Sequence, residues 1–349
     1  MQRSRVIDCE KGVLVAVMVL CHVLQFFGNA EKYPEQDILM FVVNALAFPA
    51  FLFAYGRSVA VAYLPKTYRD AAPRMLKSAL RSYGAFCLSG IAYLVLCEGK
   101  DFSSRLVLRV LSFNAVPGWS EFLAAFAAFG LTALLLLPLL KRLLRCPWAF
   151  GALCVVCLAG VLIPYDAVRD NRLGLIVGTT RFCCFPVLQY MPFFLMGLWV
   201  GANGVKHRGI WIAVAGVLTG AAAAWTFLRG EPGRFPPTLM WLLLPCLPIL
   251  LLDWSAESLA RLSDRCKTAE KLLMPANAMG MNSLFYLLAS NFAIFATSRM
   301  GTLPVWRKSE RFPFSLTTGS TPWAVVWTAV LLLAIAFFAG LSGRRHRRG

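Results

Sequence analysis

Long apolar runs recur along the whole of this chain, and their length restricts what it can fold into. A helix needs about 20 apolar residues to cross the hydrocarbon core of a bilayer. Runs near residues 12–28, 38–64, 76–97, 119–140, 147–164, 185–202, 209–228, 237–252, 279–298 and 322–341 meet or approach that length. Lipid offers no partner to backbone N–H and C=O groups, so each run must satisfy its own hydrogen bonds as a helix. The expectation is an all-α, polytopic integral membrane protein of about ten transmembrane helices. One transmembrane domain would cover residues 1–349, with no stretch left for a separate soluble domain. Composition agrees, since 58% of residues are hydrophobic and 15% charged, where soluble domains run near 45–50% and 25%.

A net charge of +18 would suit a nucleic-acid partner only with a basic patch on a soluble surface or a recognition motif. Neither is present, and topology explains the charge better, because cytoplasmic loops are enriched in Lys and Arg. The connectors alternate in this respect. The richer set holds Arg3, Arg5 and Lys11, then the Lys66–Arg81 segment, Lys141 to Arg145, Lys206 and Arg208, the Arg261–Lys271 segment, and finally Arg344, Arg345, Arg347 and Arg348. The poorer set includes Lys100, Arg105, Arg169, Arg229, Arg307, Lys308 and Arg311. This asymmetry puts both termini in the cytoplasm of a cell carrying the protein in its plasma or inner membrane. Asp8, Glu10 and His22 are poor choices for a disposable segment, so the first run is expected to be a retained helix rather than a signal peptide.

The eleven cysteines lie mostly within apolar runs, at odd count and without a repeated spacing, which argues against a disulfide framework. Cys154 and Cys157 form a lone CxxC with no second pair, and no zinc motif, phosphate loop or nucleophile elbow accompanies it. No bound metal or cofactor is expected. Gly197 with Gly201, and Gly216 with Gly220, have the small-xxx-small spacing of helix packing contacts.

The first run carries the chemistry. It reads KGVLVAVMVLCH from Lys11 to His22, and an ionisable group inside a membrane segment is costly enough to suggest a functional site. Eleven helical residues advance roughly 16 Å and turn nearly an integral number of times, so both side chains share one face. Alternatively, Lys11 snorkels to lipid headgroups and His22 hydrogen-bonds a neighbouring helix. Arg57 lies inside or at the edge of the second run, where it either lines a polar path or snorkels. Glu121 follows the Pro117-Gly118 turn beside Trp119, and serves to hold a ligand, to orient a basic partner or to complement the dipole of its helix.

Residues 7–22, IDCEKGVLVAVMVLCH, resemble the opening of the acyltransferase 3 family of membrane O-acyltransferases, in which a basic residue precedes a helix-borne His by the same interval. Further segments resemble the family in order. They are FPAFLFAYG at 48–56, the basic start of the third helix with Arg74, Lys77 and Arg81, PGWSEFL at 117–123, YMPFFLMG at 190–197 and GMNSLFYLL at 280–288 with Asn282 and Ser283. Lys11 replaces the usual Arg, which keeps the charge and gives up bidentate phosphate recognition. Many members carry a second His shortly after the Asn-Ser-Leu segment, and here that region reads Ala289, Ser290, Asn291.

The resemblance implies transfer of an acyl group, commonly acetyl, from cytoplasmic acyl-CoA to a hydroxyl of a cell-surface or lipid-linked glycan. His22 would be the catalytic base, since an imidazole with an unperturbed pKa of about 6.5 can take a hydroxyl proton at neutral pH. A His-bound acyl intermediate is an alternative to this. Lys11, Arg74, Lys77 and Arg81 would meet the donor's phosphates, Trp119 and Glu121 the acceptor, and Arg57, Asn282 and Ser283 would line the path. The expected partners are acyl-CoA as donor substrate, a glycan or glycolipid acceptor and the bilayer, with no nucleic acid. A second reading from another class is a transporter or flippase of a lipid-linked glycan, with His22 as proton relay.

Overall fold

The computed structural model describes residues 4–302 and 319–345. Arg3, Arg307, Lys308, Arg311, Arg347 and Arg348, which entered the charge asymmetry, lie outside them. Fourteen α-helices occupy the described residues. They are α1 Arg5–Phe27, α2 Glu35–Tyr63, α3 Tyr68–Leu96, α4 Ser104–Leu111, α5 Glu121–Leu143, α6 Pro147–Leu158, α7 Asn171–Val177, α8 Val187–Asn203, α9 Arg208–Arg229, α10 Leu239–Leu243, α11 Cys246–Arg265, α12 Lys267–Met281, α13 Ser283–Thr302 and α14 Thr321–Arg345.

Each expected run falls on helix, and the architecture is that of an all-helical, multi-pass membrane protein. Among the described residues six helical stretches are long and apolar enough to cross a membrane: α2, α3, α5, α9, residues 239–265 and residues 321–339. A seventh is gained if α12 and α13 count as one span bent by 81°. The run at 237–252 is broken into α10 and α11, and the run at 279–298 straddles the bend at Asn282. Two short helices, α4 and α7, lie in what the apolar pattern leaves as connectors. Both start on side-chain caps: Ser103 accepts from the Leu106 N–H at 3.2 Å, and Asp170 from those of Arg172 and Leu173 at 2.9 Å. Each cap satisfies donors that the first turn leaves orphaned. Prolines 49, 73, 138 and 192 sit within α2, α3, α5 and α8, a placement that helices packed in a membrane tolerate.

The chain divides into two compact units interleaved in sequence. The first comprises residues 1–47, 91–102 and 259–349, and hence α1, α12, α13 and α14 with parts of α2, α3 and α11. Its centre is α1, against which α12, α13 and α14 pack. The α1–α12 crossing is unusually close. A Cβ on Gly12 would stand 1.9 Å from the Ala276 carbonyl oxygen, and one on Gly280 would stand 1.7 Å from that of Asp8. Only glycine allows this approach, and the register, 8 with 280 and 12 with 276, makes the helices antiparallel. Leu14, Val15 and Val19 of α1 are fully buried. Elsewhere in this unit Gln36 ties the α1–α2 corner to the start of α14, its Nε2 donating to the Gly319 carbonyl at 2.6 Å while Thr321 donates to Glu35 at 2.7 Å.

The second unit comprises residues 48–90 and 103–258. Here α2 and α8 meet through glycine: a Cβ on Gly56 would lie 2.1 Å from the Phe194 oxygen, and one on Gly197 1.9 Å from that of Phe53. An aromatic cluster fills the space beside them, with Phe48 stacked on Phe185 at 4.0 Å and edge-on to Tyr190 at 5.1 Å. Gly197 and Gly201 are therefore packing contacts as their spacing suggests. Gly216 and Gly220 on α9 are not, because a Cβ on either meets nothing within 4 Å among the described residues. The same helix leaves Val217, Phe227 and Leu228 widely exposed, an outward apolar face suited to lipid.

Candidate active site

In the first unit the buried imidazole of His22 on α1 meets the buried amide of Asn291 on α13, Nδ1 to Oδ1 at 2.9 Å. One turn further along each helix Phe26 contacts Phe295, with ring centroids 5.6 Å apart, and Tyr93 packs edge-on against Phe295 at 5.4 Å. An amide oxygen only accepts, so this contact is a hydrogen bond in the tautomer that carries the ring proton on Nδ1. The basic lone pair is then on Nε2, the arrangement a general base requires. On the preceding residue of α1, the Cys21 thiol donates to Asn44 of α2 at 3.6 Å. Toward the start of α1, Glu10 is fully buried and Lys11 half-buried. Arg5 bridges Asp264 at 3.1 Å and Glu270 at 3.8 Å on the exposed end of this unit.

Asn282 and Ser283 stand at the bend between α12 and α13. The Asn282 N–H donates to the Met279 carbonyl at 3.1 Å and its side-chain amide to that of Ala278 at 3.3 Å, so it terminates α12. Ser283 and Asn291 are about 12 Å apart by helical rise. The Asn-Ser pair thus shapes the helix that carries Asn291 and is not brought to His22 itself.

The second unit holds the other candidates. Arg57, buried on α2, forms an ion pair with Asp253 of α11 and lies 3.9 Å from Glu257 one turn on, which in turn pairs with Arg208 at the start of α9. Its guanidinium is held by two carboxylates of the neighbouring α11 rather than turned to lipid. Arg74, Lys77 and Arg81 project from one exposed face of α3, opposite the buried Ala71, Met75 and Ala79. Trp119 has φ +54°, a left-handed backbone that is an outlier for so bulky a residue. Ser120, at the mouth of α5, donates to the Pro117 carbonyl at 2.8 Å. Glu121 follows with its Oε2 buried and without a hydrogen-bond partner.

No family model, curated protein or solved structure matches this chain. The site therefore rests on its own geometry.

The sequence pattern does not single out Asp253 or Glu257, and it marks Asn291 only as the place where a family His is lacking. Two of these residues do leave a signal in the chain: Asn291 and Asp253 are polar groups inside apolar runs, ASNFA and LLLDW, which by the cost of burial call for partners. The contact of Asn291 with His22 joins residues 269 apart in sequence.

Proposed function

We propose that this protein is an integral membrane O-acyltransferase, with His22 as general base and Asn291 as the group that holds its tautomer. The single observation that carries the reading is the buried His22–Asn291 hydrogen bond, a polar pair that joins two helices inside the first unit. In the proposed reaction the acceptor hydroxyl gives its proton to Nε2 as its oxygen attacks the thioester carbonyl of acyl-CoA. The C–O bond forms, the C–S bond breaks, and the imidazolium returns the proton to the departing thiolate, giving the ester and free CoA. Neutral imidazole is regenerated, so one His serves both proton transfers.

Under this proposal ten crossings leave both termini in the cytoplasm of a plasma or inner membrane, and Lys11 sits toward the donor side. The exposed Arg74, Lys77 and Arg81 offer charge to the donor's phosphates. The acyl group is commonly acetyl in the family whose motifs the chain resembles, and the acceptor is a cell-surface or lipid-linked glycan.

One observation favours the alternative of a transporter or flippase: the 81° break between α12 and α13, since discontinuous helices line the substrate paths of many transporters. The two readings part in one experiment. Membranes bearing the wild-type protein or its His22→Ala variant are given acyl-CoA labelled in the acyl group, and the glycan and lipid fractions are counted. Transfer requires label to enter a glycan or glycolipid with wild type and to fall to background in the variant. A relay would move glycan across the membrane and leave both fractions unlabelled.

A further inference from the structure

The second unit contains a polar pair that the catalytic proposal does not use. Arg234, in the loop before α10, lays its guanidinium against three rings: Phe235 at 4.5 Å, Phe185 at 5.4 Å and Trp241 at 6.0 Å from the centroids. The Trp241 indole N–H donates to the hydroxyl of the fully buried Tyr190 at 3.0 Å, which fixes that wall. Arg234 Nε is buried without an acceptor, and the neighbouring Glu121 Oε2 is buried without a donor. Their charges lie close enough to interact, yet among the described residues the two form no ion pair within 4 Å. An Arg and a Glu whose charges interact without closing an ion pair leave an unmet donor and an unmet acceptor in one region, a costly arrangement unless something satisfies them.

The filling group is constrained by charge. A phosphate or carboxylate on Arg234 would lie against the Glu121 carboxylate, and an ammonium on Glu121 would lie against the guanidinium. A neutral group that accepts from Arg234 and donates to Glu121 satisfies both, and adjacent hydroxyls on a sugar ring do so while the ring's C–H face rests on aromatic surface. The strained backbone of Trp119, two residues before Glu121, lies in the loop that leads into α5, as strained positions at ligand sites do. We infer that Glu121 and Arg234 form a carbohydrate subsite that grips two neighbouring hydroxyls of a sugar, Glu121 accepting from one and Arg234 donating to the other. This rests on the acyltransferase reading only in taking the sugar to be the acceptor, and binding is measurable without any acyl donor.

The test uses the full chain in lipid nanodiscs, because sugar-headed detergents carry the same diols. Saturation-transfer NMR measures binding of methyl glycosides of the common hexoses and of their monodeoxy analogues, with inorganic phosphate as a competitor. The expected result is saturable binding of at least one glycoside, lost when either of two adjacent hydroxyls is removed. Glu121→Ala and Arg234→Ala should each weaken it at least tenfold, and the double variant should be no weaker than the worse single, because one bridge is lost in all three. Gly216→Ala, with open space around it on α9, should bind as wild type does. Absence of saturable binding, glycoside affinity unchanged in both single variants, or phosphate binding tighter than every glycoside would overturn the inference. Glycoside binding that depends on the pair, found in a protein that transfers no acyl group, would sink the acyltransferase reading and leave the subsite standing.

Discussion

Placing a methyl group at the α1–α12 crossing tests how the helix that carries His22 is held. In Gly12→Ala the new Cβ would stand 1.9 Å from the Ala276 oxygen, and in Gly280→Ala 1.7 Å from that of Asp8. A Cβ does not approach within 3.0 Å of such an atom, so the backbones must part by about 1.1 and 1.3 Å. A gap of that size forfeits roughly a quarter to a half of each dispersion contact across it, and α1 brings the fully buried Leu14, Val15 and Val19 to this core. Overpacking of this kind costs about 1–3 kcal/mol, against roughly 0.5–1 kcal/mol returned by replacing a mid-helix glycine with alanine. The net expectation is a loss of about 1–2 kcal/mol for either change. One separation of the helices relieves both clashes, so the double variant should lose clearly less than the sum of the singles, the non-additivity expected of sites that share a backbone shift. Gly216→Ala and Gly220→Ala on α9 are the controls: with open space around them, they should be neutral or gain up to about 1 kcal/mol. Reversible unfolding of the purified protein by SDS in mixed micelles, followed by tryptophan fluorescence, gives all five values on one scale. The reasoning fails if Gly12→Ala and Gly280→Ala behave like the α9 controls, or if their losses simply add.

The buried ion pair makes a second prediction: Asp253→Ala leaves the Arg57 guanidinium short of its partner and should cost about 3–5 kcal/mol in the same assay. Replacing both, as Arg57→Leu with Asp253→Leu, should recover most of that loss, because Glu257 keeps Arg208. Two of the exposed thiols, Cys266 and Cys183, differ in reactivity. The Ala269 and Thr268 backbone N–H groups at the start of α12 draw the Cys266 thiol below its ordinary range, whereas burial, with the Glu121 charge adding to it and Arg234 opposing, pushes that of Cys183 up. The thiolate is the nucleophile, so as pH rises iodoacetamide should alkylate Cys266 at a lower pH than Cys183, as read by peptide mass spectrometry. Identical pH profiles at the two sites would contradict this.

The apolar runs made the helices legible, because each must hide its backbone from lipid and only helix does so at that length. Their breaks were not legible. Asn282 lies within a run that reads as continuous, and only the hydrogen bonds it makes back to α12 show that the helix stops there. The small helices α4 and α7 fell in connectors because their start signals, Ser103 and Asp170, precede segments too short for a span. Spacing found Gly197 and Gly201 and misjudged Gly216 and Gly220, since a four-residue interval says that two residues share a face but not what that face meets. His22 was legible as a costly residue. Its partner Asn291 was not, because a partner 269 positions away is set by which helices pack and not by any local pattern.

The claim at the centre is that His22 removes the acceptor proton with Asn291 holding its tautomer. The most direct measurement is the acyl-transfer rate from labelled acyl-CoA to the glycan acceptor for wild type, His22→Ala, Asn291→Ala and the double variant, each checked for folding by its SDS unfolding midpoint. Residues acting as a unit lose their effect together. The account predicts that His22→Ala falls to background, that Asn291→Ala falls at least tenfold, and that the double variant is no slower than His22→Ala. Transfer that persists in folded His22→Ala, or an Asn291→Ala variant that works at the wild-type rate, would contradict it.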